Sequence, residues 1–373
     1  MNQEWCGMRV GIVSYWFNRG QAVVSRRIRA TLDAAGFKTF VLARPTKERF
    51  VRAKFIDRSG VWAQHRVTAA SRYEIPEVEY LAWAADNVLD VILFDQNLQF
   101  AEIAALRRRG VRTVGRFVWE SFTADDVAGA TSAFDTIYSV TRCEQRRYAS
   151  FGIESPLVRW APPPALTEMQ RPPRDDAEVR FFFPGGYLSD RKPLAELLAA
   201  FRIVRDKRAR LIIKVQDPVR GPTFAAEAMA ADPRISVITA DLPDERHYEL
   251  MASCDVLLAP TRWEGLGLHH SEAIALGLPA ITNDFPPMNE NVIHDVDGWL
   301  IPAVWNVERV PGVPRLETPV EPLAAAIEAL CNDDRRARLA IGVKVRRAAV
   351  TWSTTAHDLV ELVTRQLAAG AAA

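Results

Sequence analysis

Apolar residues along this chain fall into short unbroken runs, separated by longer stretches in which they recur every three or four positions. The first run covers residues 10–14. After a loop at 15–20, Val23, Val24, Ile28 and Leu32 repeat at helical spacing, which predicts a helix over 22–35 closed by Gly36. Runs at 38–43, 90–94, 111–118 and 136–140 continue the series, with helices expected near 79–87 and 101–109. Further runs at 179–183, 209–215, 235–238, 256–259 and 280–282 repeat the alternation in the second half. A strand without polar alternation is covered on both faces, and strands alternating with helices wind into a parallel sheet. The expected fold class is therefore α/β, with two doubly wound sheets.

Between the two halves lies a proline-rich stretch, residues 160–174, holding Pro162, Pro163, Pro164, Pro172 and Pro173. It has no hydrophobic period and reads as a linker. A chain of 373 residues suits two or three domains, and 49% apolar with 25% charged residues is enough to build their cores. The expected division is residues 1–165 joined by a C-terminal helix at 354–373, and residues 166–353. The four cysteines, Cys6, Cys143, Cys254 and Cys331, are scattered without metal-ligand spacing, which favours reduced thiols. No run of 18 apolar residues spans a membrane, and no signal-peptide pattern opens the sequence, so a cytoplasmic protein is expected. The net charge of +1 hides an asymmetry. Residues 1–165 carry 23 Lys/Arg against 17 Asp/Glu, a balance of +6, and the remainder carries 24 against 29, a balance of −5. A basic first half leans towards an anionic partner.

The most informative segment is residues 260–279. The apolar run 256–259 leads into a loop, Glu264, Gly265, Leu266, Gly267 and Leu268, and then into a short helix near 269–276 that Gly277 and Pro279 end. A glycine loop opening a helix presents amide donors and a positive helix end to an anion. Two carboxylates, Glu264 and Glu272, flank the same spot and suit the hydroxyls of a sugar or ribose. One ligand class needs both features, a nucleotide sugar. A second turn of this kind spans residues 183–194, where Gly185 and Gly186 allow close backbone approach and Arg191 and Lys192 can neutralise phosphate. Without an anion, two cations at a helix start oppose its dipole.

This combination resembles the donor site of retaining GT-B glycosyltransferases of the family 4 type (glycosyl transferases group 1). The resemblance rests on Glu264 and Glu272 with Gly265, Gly267, Ala273, Gly277 and Pro279 in register, and on Gly186, Leu188 and Lys192 in the earlier turn. Tyr187 stands where the family carries an arginine, and Arg191, able to offer a bidentate fork, is the candidate substitute. The resemblance implies two Rossmann-like domains facing a central cleft. The N-terminal domain would bind the acceptor and the C-terminal domain the nucleoside diphosphate sugar. It implies a hexosyltransferase acting with retention, without a metal and without a cofactor, a UDP-sugar being the favoured donor. Glu264, Lys192 and Arg191 are the catalytic candidates it marks. Gly186, Gly265, Leu266, Gly267, Leu268 and Glu272 are the donor-binding candidates. Gly20, in the loop after the first strand, and Glu120, where relatives carry a histidine, are candidates for the acceptor side of the cleft.

Other constellations leave the substrate open. Residues 49–58 interleave bases with Phe50 and Phe55, which suits a membrane face, an anionic glycan or nucleic acid, or an amphipathic helix with a basic face. His247, His269, His270 and His294 lack zinc spacing. The acceptor is therefore not named by the sequence: a glycan, a lipid carrier and nucleic acid all stay open, as does peripheral membrane contact. A GT-B epimerase or phosphorylase and a non-catalytic GT-B binding protein are the alternatives. A dinucleotide dehydrogenase is disfavoured, because no complete Gly-x-Gly-x-x-Gly follows the first strand.

Overall fold

The computed structural model describes residues 7–47, 54–174 and 176–371. The chain separates into two units, Met1–Arg159 with Ser353–Ala373, and Trp160–Trp352. In the first unit the elements run β1 (Arg9–Tyr15), α1 (Gly20–Ala34), β2 (Lys38–Arg44), β3 (Val67–Ala69), α2 (Glu77–Asp86), β4 (Val91–Asp95), α3 (Phe100–Arg108), β5 (Arg112–Arg116), α4 (Ala124–Ala133), β6 (Thr136–Ile137) and α5 (Arg142–Ala149). The second unit follows with α6 (Pro164–Thr167), β7 (Val179–Gly186), α7 (Leu194–Ile203), β8 (Ala209–Val215), α8 (Gly221–Ala231), β9 (Ile235–Ile238), α9 (Asp244–Ala252), β10 (Val256–Ala259), α10 (Leu268–Leu276), β11 (Ala280–Asn283), β12 (Gly298–Ile301), β13 (Val304–Val310), β14 (Val313–Glu317), α11 (Val320–Cys331) and α12 (Asp333–Ala349). The last helix, α13 (Trp352–Ala371), belongs to the first unit from Ser353 onward.

Each unit is built on a six-stranded parallel sheet, in the order β3-β2-β1-β4-β5-β6 and β12-β11-β10-β7-β8-β9. The winding reverses between β1 and β4 in one sheet and between β7 and β10 in the other. Parallel sheets open a crevice at the carboxyl ends of the strands flanking such a reversal.

The central strands show why apolar runs lack alternation. Phe181 and Phe183 of β7 enter one core cluster with Val256 and Leu258 of β10, while Phe182, Leu257 and Ala259 point to a second cluster on the opposite face. Burying a phenylalanine side chain contributes roughly 1.5–3 kcal/mol, so either strand would lose heavily if moved to an edge. In the first unit the core gathers Val13, Leu42, Ile92 and Phe94 with a ladder of aromatic contacts through Phe100, Phe117, Phe122 and Phe134. Arg116, at the end of β5, lies buried between Asp95 (3.1 Å) and Glu144 (2.6 Å). Helix α13 is held to this unit by the Asp358 carboxylate, which accepts from Arg159 Nη2 at 2.7 Å, and by Gln366, which donates to Thr136 at 2.8 Å.

Several elements differ from expectation. Strands β3 and β12, each at one edge of its sheet, and the β13–β14 ribbon are additions to the strands expected from the sequence. The run at 136–140 keeps only two strand residues, Ser139 continuing as an isolated bridge to Leu157. The proline-rich stretch is not a free tether. Proline at the start of α6 suits a helix N-terminus, and Leu166 is buried in the core beneath α10. Of the basic segment 49–58, residues 49–53 lie outside the described residues, and 54–58 form a loop rather than a helix.

Candidate functional site

The turn after β7 and the loop after β10 both leave the sheet at its reversal point, which brings Arg191, Lys192 and Glu264 together. Arg191 Nη1 donates to Glu264 Oε1 at 3.2 Å, and Lys192 Nζ stands 3.6 Å from Glu264 Oε2. The Gly265 amide also donates to Glu264 Oε1, at 3.0 Å. Burial would raise this carboxyl, but the charges of Lys192 and Arg191 outweigh it and hold Glu264 well below the usual carboxylate range. The two segments are joined through the backbone, the Arg262 amide donating to the Arg191 carbonyl at 2.9 Å.

Helix α10 begins immediately beyond. Its N-cap, Gly267, has φ 69°, a left-handed conformation that glycine alone adopts without strain. A Cβ there would also stand 2.8 Å from His270 Nδ1. No acidic residue occupies the first turn and no side chain caps it. Leu266, Gly267 and the first helical residue Leu268 therefore bring a positive helix end, uncapped by any side chain, beside Glu264 and the Arg191–Lys192 pair. Glu272 lies one turn into the same helix, about 6 Å along the axis from Leu268; it is buried and accepts from Tyr248 Oη of α9 at 3.3 Å. Gly186, with φ 55°, sits at a register shift between β7 and β8, where the first turn starts.

Two histidines complete the helix start. His270 Nε2 lies 3.2 Å from Thr282 Oγ1, which in turn donates to the Ala259 carbonyl at 3.0 Å. Burial depresses both imidazoles, His270 to about 4 and His269 well below its ordinary value. Both are neutral at pH 7. His269 Nε2 and His270 Nδ1 are buried with no hydrogen-bond partner among the described residues. Buried polar atoms are rarely left so, and here they adjoin a glycine loop and a pair of cations.

A brace that the sequence reading missed supports the turn. Asp190 accepts two bonds from Arg315 of β14, both at 2.8 Å. Arg262 donates through Nη1 to the Asp190 carbonyl at 2.9 Å and pairs through Nη2 with Glu196, and the Leu316 amide donates to the Arg262 carbonyl at 3.0 Å. Trp263 lies within cation–π range of both Arg191 and Arg309, at 5.9 and 5.0 Å. The ribbon thus fixes the segment carrying Arg191 and Lys192. Only the charges at Asp190 and Arg315 hint at this in the sequence, 125 residues apart.

The remaining candidates belong to the first unit. Gly20 is the first, exposed residue of α1, and Glu120 is buried in a single 3-10 turn, Trp119–Ser121. Among the described residues no group of three His, Cys, Asp or Glu side chains is arranged to hold a metal ion, and no helix is long and apolar enough to cross a membrane.

Residues 178–311, which include every second-unit candidate, match the family described as Glycosyl transferases group 1. A segment of 187 residues, 48% of the chain, is 29% identical to the MMP α-(1→4)-mannosyltransferase of Mycolicibacterium hassiacum; it spans 40% of that protein's length. Among solved structures, a sucrose-phosphate synthase from Thermosynechococcus elongatus aligns over 97% of this chain and 100% of its own, with TM-score 0.72 and 17% identity. Anabaena HepE, solved in complex with UDP-glucose, aligns over 96% and 100%, with TM-score 0.70 and 14% identity. The chain therefore has the GT-B fold, and the glycosyl transferases group 1 match in its second unit supports a glycosyltransferase.

Proposed function

We propose that the protein transfers a hexosyl group from a nucleoside diphosphate sugar, a UDP-sugar by preference, to an acceptor hydroxyl with retention at the anomeric carbon and without a metal. The observation that carries this reading is the convergence of Arg191, Lys192 and the Gly265 amide on Glu264 at the open end of α10. That end offers donors and positive potential for a diphosphate. Glu264 and Glu272 offer acceptors for hydroxyl groups, as a sugar nucleotide requires. HepE, of like fold, was solved with UDP-glucose, which agrees with the choice of donor.

In this mechanism the second unit binds the donor and the first unit the acceptor. Arg191, Lys192 and the amides of Gly267 and Leu268 bind the diphosphate, Gly186 lets the backbone of the first turn approach it, and Glu272 holds the ribose hydroxyls. Glu264 orients the transferred sugar. As the glycosidic bond breaks, negative charge grows on the leaving diphosphate. Donors already fixed in place stabilise that charge more than they stabilise the ground state, which lowers the barrier. In the free protein the two cations satisfy Glu264. A bound diphosphate would share them and release the carboxylate for the sugar. The group works in a cytoplasmic setting with reduced cysteines.

Titration calorimetry with UDP, GDP and their hexose conjugates tests the donor assignment. Binding of a nucleoside diphosphate that Lys192→Met weakens is the expected result. Absence of binding by every nucleotide in the set would remove the donor site. Product anomeric configuration, read by proton NMR, tests retention. Conversion of the donor without any acceptor would point to an epimerase instead.

A further inference from the structure

The first unit carries a second charged site that nothing above uses. It lies at the carboxyl ends of β1, β2 and β4, across the point where the first sheet reverses its winding. Arg44 ends β2 and is only 2% exposed. Its Nε donates to the Tyr73 carbonyl at 3.1 Å and its Nη1 to the Gln96 carbonyl at 3.4 Å, while its guanidinium lies 4.0 Å from the centroid of the Tyr73 ring. Gln96 reaches that position through a left-handed backbone, φ 52°, which is uncommon for a residue other than glycine. The Lys47 ammonium stands 4.3 Å from the same Tyr73 ring. Among the described residues neither cation forms an ion pair with a carboxylate, and Arg44 Nη2 has no hydrogen-bond partner.

A buried cation is normally paired with an anion, since desolvating a lone charge is expensive. Arg116 in the same unit follows this rule, with Asp95 and Glu144 at its sides. Arg44 has carbonyl dipoles and an aromatic ring instead. Half-buried aromatics adjoin it: Tyr15, at the end of β1, lies 5.8 Å from Tyr73 and 5.7 Å from Phe17, and Phe17 lies 5.9 Å from Phe55. Aromatic faces suit the C–H faces of a sugar ring, and a fixed guanidinium suits phosphate or carboxylate.

We propose that Arg44, Lys47 and the Tyr15–Phe17–Tyr73 aromatic group form a binding site for a sugar unit bearing a phosphate or carboxylate, and that this unit is the acceptor. The identification as acceptor rests on the transferase reading; the binding site itself does not. Phe55, from the basic segment singled out in the sequence, sits at the edge of this group.

The test is titration calorimetry on the full chain with glucose 6-phosphate, glucuronate, glucose and inorganic phosphate, with UDP titrated in parallel. The anionic sugars should bind at millimolar concentration or below and glucose far more weakly. Lys47→Met and Tyr73→Leu should each raise the dissociation constant for the anionic sugars about tenfold or more while leaving that for UDP unchanged. Arg44→Met should abolish their binding and Arg44→Lys retain part of it. Equal affinity for glucose and its 6-phosphate, no binding of either anionic sugar, or indifference to the Lys47 and Tyr73 changes would overturn the proposal. Inorganic phosphate binding as tightly as glucose 6-phosphate would overturn the sugar part. Loss of UDP binding alone would count against the donor site and leave this one standing.

Discussion

Lys192→Met is the sharpest perturbation of the proposed donor site. Methionine keeps most of the volume of the lysine stem, so the change removes charge rather than packing. The side chain of Lys192 is 9% exposed and its ammonium stands 3.6 Å from Glu264 Oε2. At an effective dielectric near 20, the gross attraction at that distance is about 5 kcal/mol. Desolvation of both groups offsets much of it. Arg191 and the Gly265 amide still satisfy the carboxylate after the change. The expected stability loss is therefore about 1–3 kcal/mol, below that of a buried pair broken outright. Catalysis should suffer more, because no other group replaces the missing charge on the leaving diphosphate. Loss of one such donor lowers kcat by about a hundredfold to a thousandfold, or ~2.7–4 kcal/mol. Donor turnover can be followed by release of the nucleoside diphosphate, with thermal melts confirming that the variant is folded. A folded Lys192→Met protein with unchanged turnover and unchanged nucleotide affinity would refute the role given to this residue and to the convergence on Glu264.

Gly267→Ala places a Cβ 2.8 Å from His270 Nδ1 on a left-handed backbone, so a loss of about 1–3 kcal/mol in urea unfolding and weaker nucleotide binding are expected. Stability should fall on acidification below neutrality. His270, whose folded value is lowered to about 4, takes up a proton more readily when unfolded, so the native state weakens as pH drops from about 6.5 towards 4. Glu264 acts in the lower window: its folded value lies below its unfolded one, so its contribution is complete above about 4.3 and declines beneath it. A melting temperature that stays constant from pH 7 to 4 would contradict the sign for His270, and one that does not fall further beneath pH 4 would contradict the sign for Glu264. Arg116→Leu strands two buried carboxylates and should destabilise by about 3–5 kcal/mol. Arg246→Ala removes an exposed pair and should change unfolding by less than about 1 kcal/mol.

Much of the architecture was legible along the chain because a parallel sheet covered on both faces demands continuous apolar strands. The three phenylalanines 181–183 and the run 256–259 read as strands, and the glycine loop after the second as the opening of a helix, as the structure has them. The components of the proposed donor site were readable because Glu264, Gly267 and Lys192 sit in local turns whose chemistry is set within a few residues. What sequence could not supply were features made by residues far apart: the Asp190–Arg315 brace, the Trp263 contact with two arginines, and the β13–β14 ribbon. The edge strands β3 and β12 lie outside the apolar runs that marked the other strands, and a charge carries no record of its partner. The apolar pattern therefore determined two doubly wound sheets and where their loops emerge. Tertiary packing alone decided that Arg191 and Lys192 meet Glu264, because Coulomb pairing depends on distance in space and their separation in sequence is more than seventy residues.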